Sequence, residues 1–262
     1  MKIFINNMKK YYKYAIRSAK AELKSEVADS RLNWLWWIIE PLSFMLIYTF
    51  VFGIIFPTKT PFFASFVMIG QAAWDFFNRM VSGSSKLIVN NRDLVTKVYI
   101  PKYILLFSKS LTYLFKMGIS IILALGLMVF QGVPFSWTFI LMIPILIVLY
   151  VICFGFSMIL MHYGVTLNDL GNLTNIGLKM LFYISGIFYN ITERLSEYPI
   201  LANLLLKLNP IACCMNELRL VTVFGTIPNF LLLLIWLFIG LILCIIGIHL
   251  IHKNENSYAK VI

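Results

Sequence analysis

The residues that could do chemistry are few and scattered. His162 and Asp169 stand seven positions apart, with no second histidine at the four-residue helical spacing that a zinc protease uses. They read as ordinary polar residues near a membrane boundary. Gly83-Ser-Ser-Lys86 is the nearest approach to a phosphate-cradling loop. It lacks the first glycine and the residue order, and no Gly-Lys pair occurs anywhere. No Gly-x-Ser-x-Gly nucleophile elbow is present. Cys153 and Cys244 fall inside apolar runs and Cys213 adjoins Cys214, so neither a metal spacing nor a disulfide framework can be read. Cysteine here behaves as a small hydrophobe. The expectation is a chain with no catalytic site, no metal and no cofactor of its own.

Ionisable residues inside apolar stretches are better candidates, because burying them in lipid is expensive. Asp75 and Arg79 are four apart, on one helix face, so they can pair. Arg79 can also snorkel to the interface. Lys109 and Lys116 are seven apart and share a face. Facing a cavity, they can hold pyrophosphate or anionic sugar groups. Otherwise they pair with Glu40 or Asp75, or snorkel. Aromatic residues are abundant, with 22 Phe, 13 Tyr and 6 Trp. Sugar rings pack on aromatic faces, although lipid-facing aromatics are the ordinary case. Asp75, Arg79, Lys109, Lys116, Trp34 and Trp37 are therefore the candidate lining of any pathway through the chain.

The elements that must position these residues follow from composition. Of 262 residues, 60% are hydrophobic and 13% charged, against about 25% charged in soluble domains. Mean hydropathy is +0.86. The excess apolar surface must face lipid. About 20 residues of helix cross the hydrocarbon layer, and six runs qualify, near 34–56, 62–82, 104–130, 137–161, 173–191 and 230–251. Lipid offers no partner to backbone polar groups, so these runs are helices. Pro57 and Pro61 bracket the first turn, Gly132 and Pro134 the third connection, and Pro228 precedes the last span. The predicted fold class is an all-α integral membrane protein with six transmembrane helices.

Orientation follows from Lys and Arg. Residues 1–33 hold Lys2, Lys9, Lys10, Lys13, Arg17, Lys20, Lys24 and Arg31. The loop after the second span holds Lys86, Arg92, Lys97 and Lys102, and the tail holds Lys253 and Lys260. The first outer connection has Lys59 alone. Both termini and the second loop are therefore expected in the cytoplasm. The net charge of +11 is a topology signal and an attraction to anionic lipid, not a nucleic-acid footprint.

Residues 1–33 form the first part of the chain and 34–262 the membrane domain. Within the first part, Met8, Tyr12, Ile16, Ala19, Leu23 and Val27 recur at three- and four-residue steps, with basic residues on the other faces. The spacing predicts an amphipathic helix flat on the cytoplasmic leaflet. Its basic stretch is too long for a cleaved signal peptide. Trp34, Trp36 and Trp37 then fall at headgroup level. Lys86 to Pro101 mixes apolar and charged residues at helical spacing and predicts a short cytoplasmic helix that docks into something else. Between spans five and six, Ile200–Leu206 and Ile211–Met215 are too short to cross and are broken by Pro199, Pro210 and Pro228. They predict re-entrant or interfacial helices on the outer side.

Several segments carry a family resemblance. Arg31-Leu-Asn-Trp-Leu-Trp-Trp-Ile-Ile-Glu-Pro-Leu42 and Tyr48-Thr-Phe-Val-Phe-Gly-Ile-Ile-Phe56 resemble the start of type-2 ABC exporter permeases. The nearest branch is that of O-antigen, capsule and teichoic acid exporters. Asn91-Arg-Asp-Leu-Val-Thr-Lys-Val-Tyr-Ile-Pro101 resembles the family's coupling helix, which implies contact with an ATPase through Asn91, Arg92, Asp93, Leu94 and Lys97. Leu167-Asn-Asp-Leu-Gly-Asn172 resembles the turn before span five, with Asn168 where the family commonly has arginine. Ser185-Gly-Ile-Phe-Tyr189, then Leu208-Asn-Pro210 and Arg219, resemble the segments that follow. The resemblance implies a permease homodimer with two separate ATPase subunits, which would bind ATP and Mg. It implies a glycan carried on undecaprenyl diphosphate or a similar lipid, and a bacterial inner membrane. A type-2 exporter of a drug or small lipid, and a membrane-embedded lipid-modifying enzyme, are the alternatives.

Overall fold

The computed structural model describes residues 2–28, 30–56, 58–255 and 257–258. Pro57 and Lys260, singled out above as a turn bracket and a tail charge, lie outside the described residues. Among the described residues all regular structure is helical. The order is α1 (Lys2–Ala28), α2 (Trp36–Thr49), α3 (Phe63–Ser84), α4 (Leu87–Asn90), α5 (Arg92–Lys97), α6 (Lys102–Gln131), α7 (Met142–Thr166), α8 (Leu170–Ile184), α9 (Ile191–Arg194), α10 (Pro199–Leu208), α11 (Pro210–Thr222) and α12 (Phe230–Lys253). A 3₁₀ turn, Asn33–Leu35, leads into α2, and a π-helical turn, Phe50–Ile55, ends it. Another 3₁₀ turn, Trp137–Leu141, leads into α7.

Four helical stretches among the described residues are long and apolar enough to cross a membrane: Asn33–Ile55, Lys102–Gln131, Trp137–Thr166 and Phe230–Lys253. The protein is thus a multi-pass membrane protein. The two other predicted stretches behave differently. α3 is a long helix enclosed on nearly every side, with Ser65, Gln71 and Ser84 buried along it. α8 has 15 residues, about 22 Å at 1.5 Å per residue. It stops well before residue 191, because the chain turns at Ser185 and Gly186, where Gly186 takes φ +69°.

Packing follows residue size. α7 and α12 share the most extensive interface. A Cβ on Gly155 would meet the backbone of Cys244 at 2.8 Å and of Gly240 at 2.9 Å, so only glycine permits this approach. α3 lies at the centre, against α2, α6, α7 and α11.

α1 runs along α6. Phe4 meets Tyr103 at 4.9 Å between ring centroids, Asn7 Nδ2 donates to the Tyr103 hydroxyl at 2.7 Å, and Ser108 Oγ donates to the Ala15 carbonyl at 3.1 Å. The buried face is therefore Ala15, Ala19 and Val27, with Phe4, Met8, Tyr11 and Tyr14 packed beside it. Tyr12 and Ile16, placed on the apolar face by spacing alone, are exposed. The small Ala15 is what lets the two backbones come close, and that sets the rotation.

At the other end of the chain, Tyr258 is buried and its hydroxyl lies 2.8 Å from His162 Nδ1. Burial holds the phenol far above its usual pKa, so it stays protonated and hydrogen-bonds the imidazole as a neutral hydroxyl.

Candidate functional site

The candidate residues gather in two places. The first is a cleft between α2, α3 and α6, where Trp37, Asp75, Arg79 and Lys116 line one wall system with Glu40. Arg79 Nη2 pairs with Glu40 Oε1 across the α2–α3 interface at 2.9 Å. The predicted pairing of Arg79 with Asp75 is replaced by this one. Lys116 Nζ pairs with Glu26 Oε2 of α1 at 2.6 Å, and Lys109 Nζ pairs with Glu22 Oε1. The two lysines sit on one face of α6, as their spacing requires. Their partners are the α1 glutamates, not Glu40 or Asp75. Trp37 packs edge-on to Phe115 at 5.5 Å. Trp34 stands apart in the 3₁₀ turn and is exposed.

The second place is a groove of about 390 Å³ between α1, α4, α5 and α6, lined by Glu22, Asn91, Leu94 and Lys109 among others. Here α5 turns its apolar side inward, with Val95 buried and Leu94 half-buried. Arg92, Asp93, Lys97, Val98 and Tyr99 face outward. Asp93 and Lys97 pair at 3.6 Å with 93% and 75% of their side chains exposed. An ion pair this open contributes little to stability. It leaves a mixed charged and apolar surface free for a partner.

From the charged cleft an aromatic strip leads along the α2–α3–α8 groove, a space of about 760 Å³. Trp74 meets Phe182 at 5.5 Å, Phe182 meets Phe188 at 5.6 Å, and Phe188 stacks on Phe52 at 4.3 Å with a 15° interplanar angle. The strip opens into a second recess of about 700 Å³, lined by Phe52, Phe188, Lys59, Asn190, Glu193 and Arg194. Glu193 accepts from Thr60 Oγ1 at 2.7 Å and from the Lys59 amide at 3.1 Å, which fixes the loop before α3. Charged cleft and aromatic groove share Glu40, Asp75 and Arg79, and the packed Phe182–Phe188 pair links the groove to the recess.

A knot of hydrogen bonds closes the recess end. Asn209 and Pro210 start α11 as N-cap and first-turn proline: Asn209 Oδ1 accepts from the Ile211 and Ala212 amides at 3.0 and 3.2 Å. Asn209 Nδ2 donates to Ser185 Oγ at 2.8 Å. Arg219, 4% exposed, donates from Nε to the Phe66 carbonyl at 3.0 Å, from Nη1 to Gly186 at 2.8 Å and from Nη2 to Ile187 at 2.5 Å. Its Cζ lies 3.7 Å from the Phe66 ring centroid, a cation–π contact. Glu217 Oε2 accepts from the Asn229 amide at 2.8 Å and anchors the cap of α12. The Ser185–Tyr189 and Leu208–Pro210 segments and Arg219, separate in the sequence, therefore meet at one point. Reading the chain did not single out Glu22, Glu26 or the depth of Arg219. The available signal was an arginine between Leu218 and Leu220 in a segment otherwise made of small and apolar residues.

Several long apolar helices enclose these clefts, with an outward-facing charged helix at one end, as a membrane transport subunit requires. Residues 16–223 match the ABC-2 type transporter family, and the chain belongs to that family. It is a transporter membrane subunit, not an enzyme. It is similar to the O-antigen export system permease protein RfbA of Myxococcus xanthus, 26% identical over 86% of each chain. Two proteins of the same name from Klebsiella pneumoniae are each 24% identical over 92% of each chain.

Proposed function

We propose that this chain is the permease subunit of an ATP-driven exporter of lipid-linked cell-surface polysaccharide. The family match joined to relatives named as O-antigen export permeases carries the reading. The supporting geometry is the succession of three neighbouring clefts, charged, aromatic and polar. Two copies of the chain assemble with two separate ATPase subunits, which bind ATP and Mg. The exposed face of α5, with Arg92, Asp93 and Lys97, sits in a groove of the ATPase, and Asn91 and Leu94, half-buried beneath it, border the same contact. α2, α3, α6, α7, α8 and α12 are the six spans in the bacterial inner membrane, with both termini cytoplasmic. α1 is the interface helix beside the lateral opening, and α9 to α11 are the outer re-entrant caps.

ATP closes the ATPase pair, α5 moves, and the permeases part. The diphosphate of an undecaprenyl-type carrier meets the cleft of Asp75, Arg79 and Lys116 beside Trp37, with Lys109 further along the same face of α6 and Trp34 at its approach. The polymer then follows the groove outward, where the exposed rings of Phe44 and Tyr183 offer sugar faces contact without fixed hydrogen-bond register. Depleting the chain in its native cell tests this. The expected result is a lipid-linked glycan retained on the cytoplasmic face and lost from the surface. Unchanged surface glycan with loss of efflux of a drug or small lipid would overturn it.

A further inference from the structure

A separate groove lies on the other side of α8. α8 and α12 both pack on α7, and the space between them, about 370 Å³, is roofed by α10. That volume is within the usual range for small-molecule sites, about 300–1,000 Å³. Its walls include Phe156, Leu181, Ile184, Leu204, Leu208 and Trp236, and almost none of its surface is polar. It shares no lining residue with the charged cleft, the aromatic groove or the polar recess, so the proposed transport route does not use it.

Asn209 also lines the groove but is engaged as the cap of α11, which leaves one free polar group in the wall and one cation on the roofing helix. Among the described residues, Trp236 Nε1 is buried with no hydrogen-bond partner. An orphaned donor is costly wherever water is absent. Trp236 lies six residues into α12, about 9 Å along the helix. From a helix start among the headgroups, that reaches the level of a lipid's ester groups. Lys207 is exposed on α10, between the groove residues Leu204 and Leu208. A cation on the roofing helix, a donor in the wall and an apolar trough supply what a phosphate, an ester and an acyl chain each need.

We propose that this groove is a binding site for one glycerophospholipid. An acyl chain fills the trough, an ester carbonyl accepts from the Trp236 indole N–H, and the phosphate meets Lys207. The lining now covers the indole nitrogen, and the arriving lipid displaces a groove leucine to reach it. A polyprenyl phosphate fits less well, because it carries no ester carbonyl to reach Trp236. The proposal rests on the membrane-spanning reading of α7 and α12 and is independent of what is exported.

The test uses the full chain in nanodiscs of phosphatidylethanolamine and phosphatidylglycerol, doped with a phosphatidylglycerol bearing an acyl-chain diazirine. Adducts after illumination are mapped by mass spectrometry. The expected result is adduct density on α10 and the first half of α12 several-fold above that on the exposed face of α6. Leu204→Trp should lower it at least fivefold without changing the α6 adducts. Trp236→Phe, Lys207→Gln and a diether lipid without ester carbonyls should each reduce lipid retention two- to threefold in native mass spectrometry. Even labelling of all lipid-facing helices would overturn the proposal. So would full retention of the diether lipid, or displacement of the bound lipid by an equimolar polyprenyl phosphate.

Discussion

Gly70 of α3 lies directly beneath the guanidinium of Arg219: a Cβ built on Gly70 would come within 2.8 Å of Arg219 Cζ and closer still to Nη2. The absence of a side chain at one position is what makes room for a buried cation at the other. Arg219 answers with three carbonyls from two segments. Hydrogen bonds to a charged group are worth about 1.5–3 kcal/mol each, and breaking a buried set costs about 3–5 kcal/mol. Arg219→Ala is expected to lower the thermal midpoint in detergent by about 10 °C, using a conversion of about 2–4 °C per kcal/mol. Gly70→Val should reproduce most of that loss, because it displaces the same head group. Fluorescence-detected size-exclusion after heating measures both.

The α1–α6 contact rests on two ion pairs, Lys109–Glu22 and Lys116–Glu26. Each is partly buried, so each should contribute about 1 kcal/mol, above the median for exposed pairs. Glu22→Lys should loosen α1 and raise proteolysis in residues 2–28. The charge-swapped double variant Glu22→Lys with Lys109→Glu should recover protection. A double-mutant cycle read by limited trypsinolysis gives the coupling.

Arg79 and Glu40 join α3 to α2 at 2.9 Å with both side chains partly solvated. The pair is worth about 0.5–1 kcal/mol, too little to hold the fold. Glu40→Gln is therefore expected to leave the thermal midpoint within about 4 °C. If this cleft receives an anionic head group, freeing Arg79 should change the transport rate several-fold. Export in cells carrying the variant checks this against its expression level.

Asp93 and Lys97 face outward on α5. Reversing both charges, Asp93→Lys with Lys97→Asp, should leave the permease folded. It should cut export at least tenfold while ATP hydrolysis by the partner continues. Normal export in that double variant would remove α5 as the coupling element.

The sequence made some of these features plain and hid others for physical reasons. The long apolar runs predicted α6, α7 and α12 within a few residues, because lipid demands length and hydropathy together. α8 was overextended to 191 because Ser185–Tyr189 is apolar enough to continue a count, while the φ of Gly186 ends the helix. The face of α1 was misplaced at Tyr12 and Ile16 because side-chain size, not only spacing, selects the side that touches α6. Lys109 and Lys116 were correctly set on one face. Their partners were not legible, since nothing local reveals which helix lies opposite. Pro210 reads in the sequence as a break between short apolar runs, whereas with Asn209 it starts α11; the meeting of that cap with Ser185 and of Arg219 with Gly186 is purely tertiary.

The most direct test of the whole account is affinity purification of the chain from native membranes in mild detergent, with mass spectrometry of what accompanies it. The account predicts a soluble ATPase with a Walker motif at equal stoichiometry, together with a lipid-linked glycan. Repeated recovery of the chain alone under gentle conditions would contradict it.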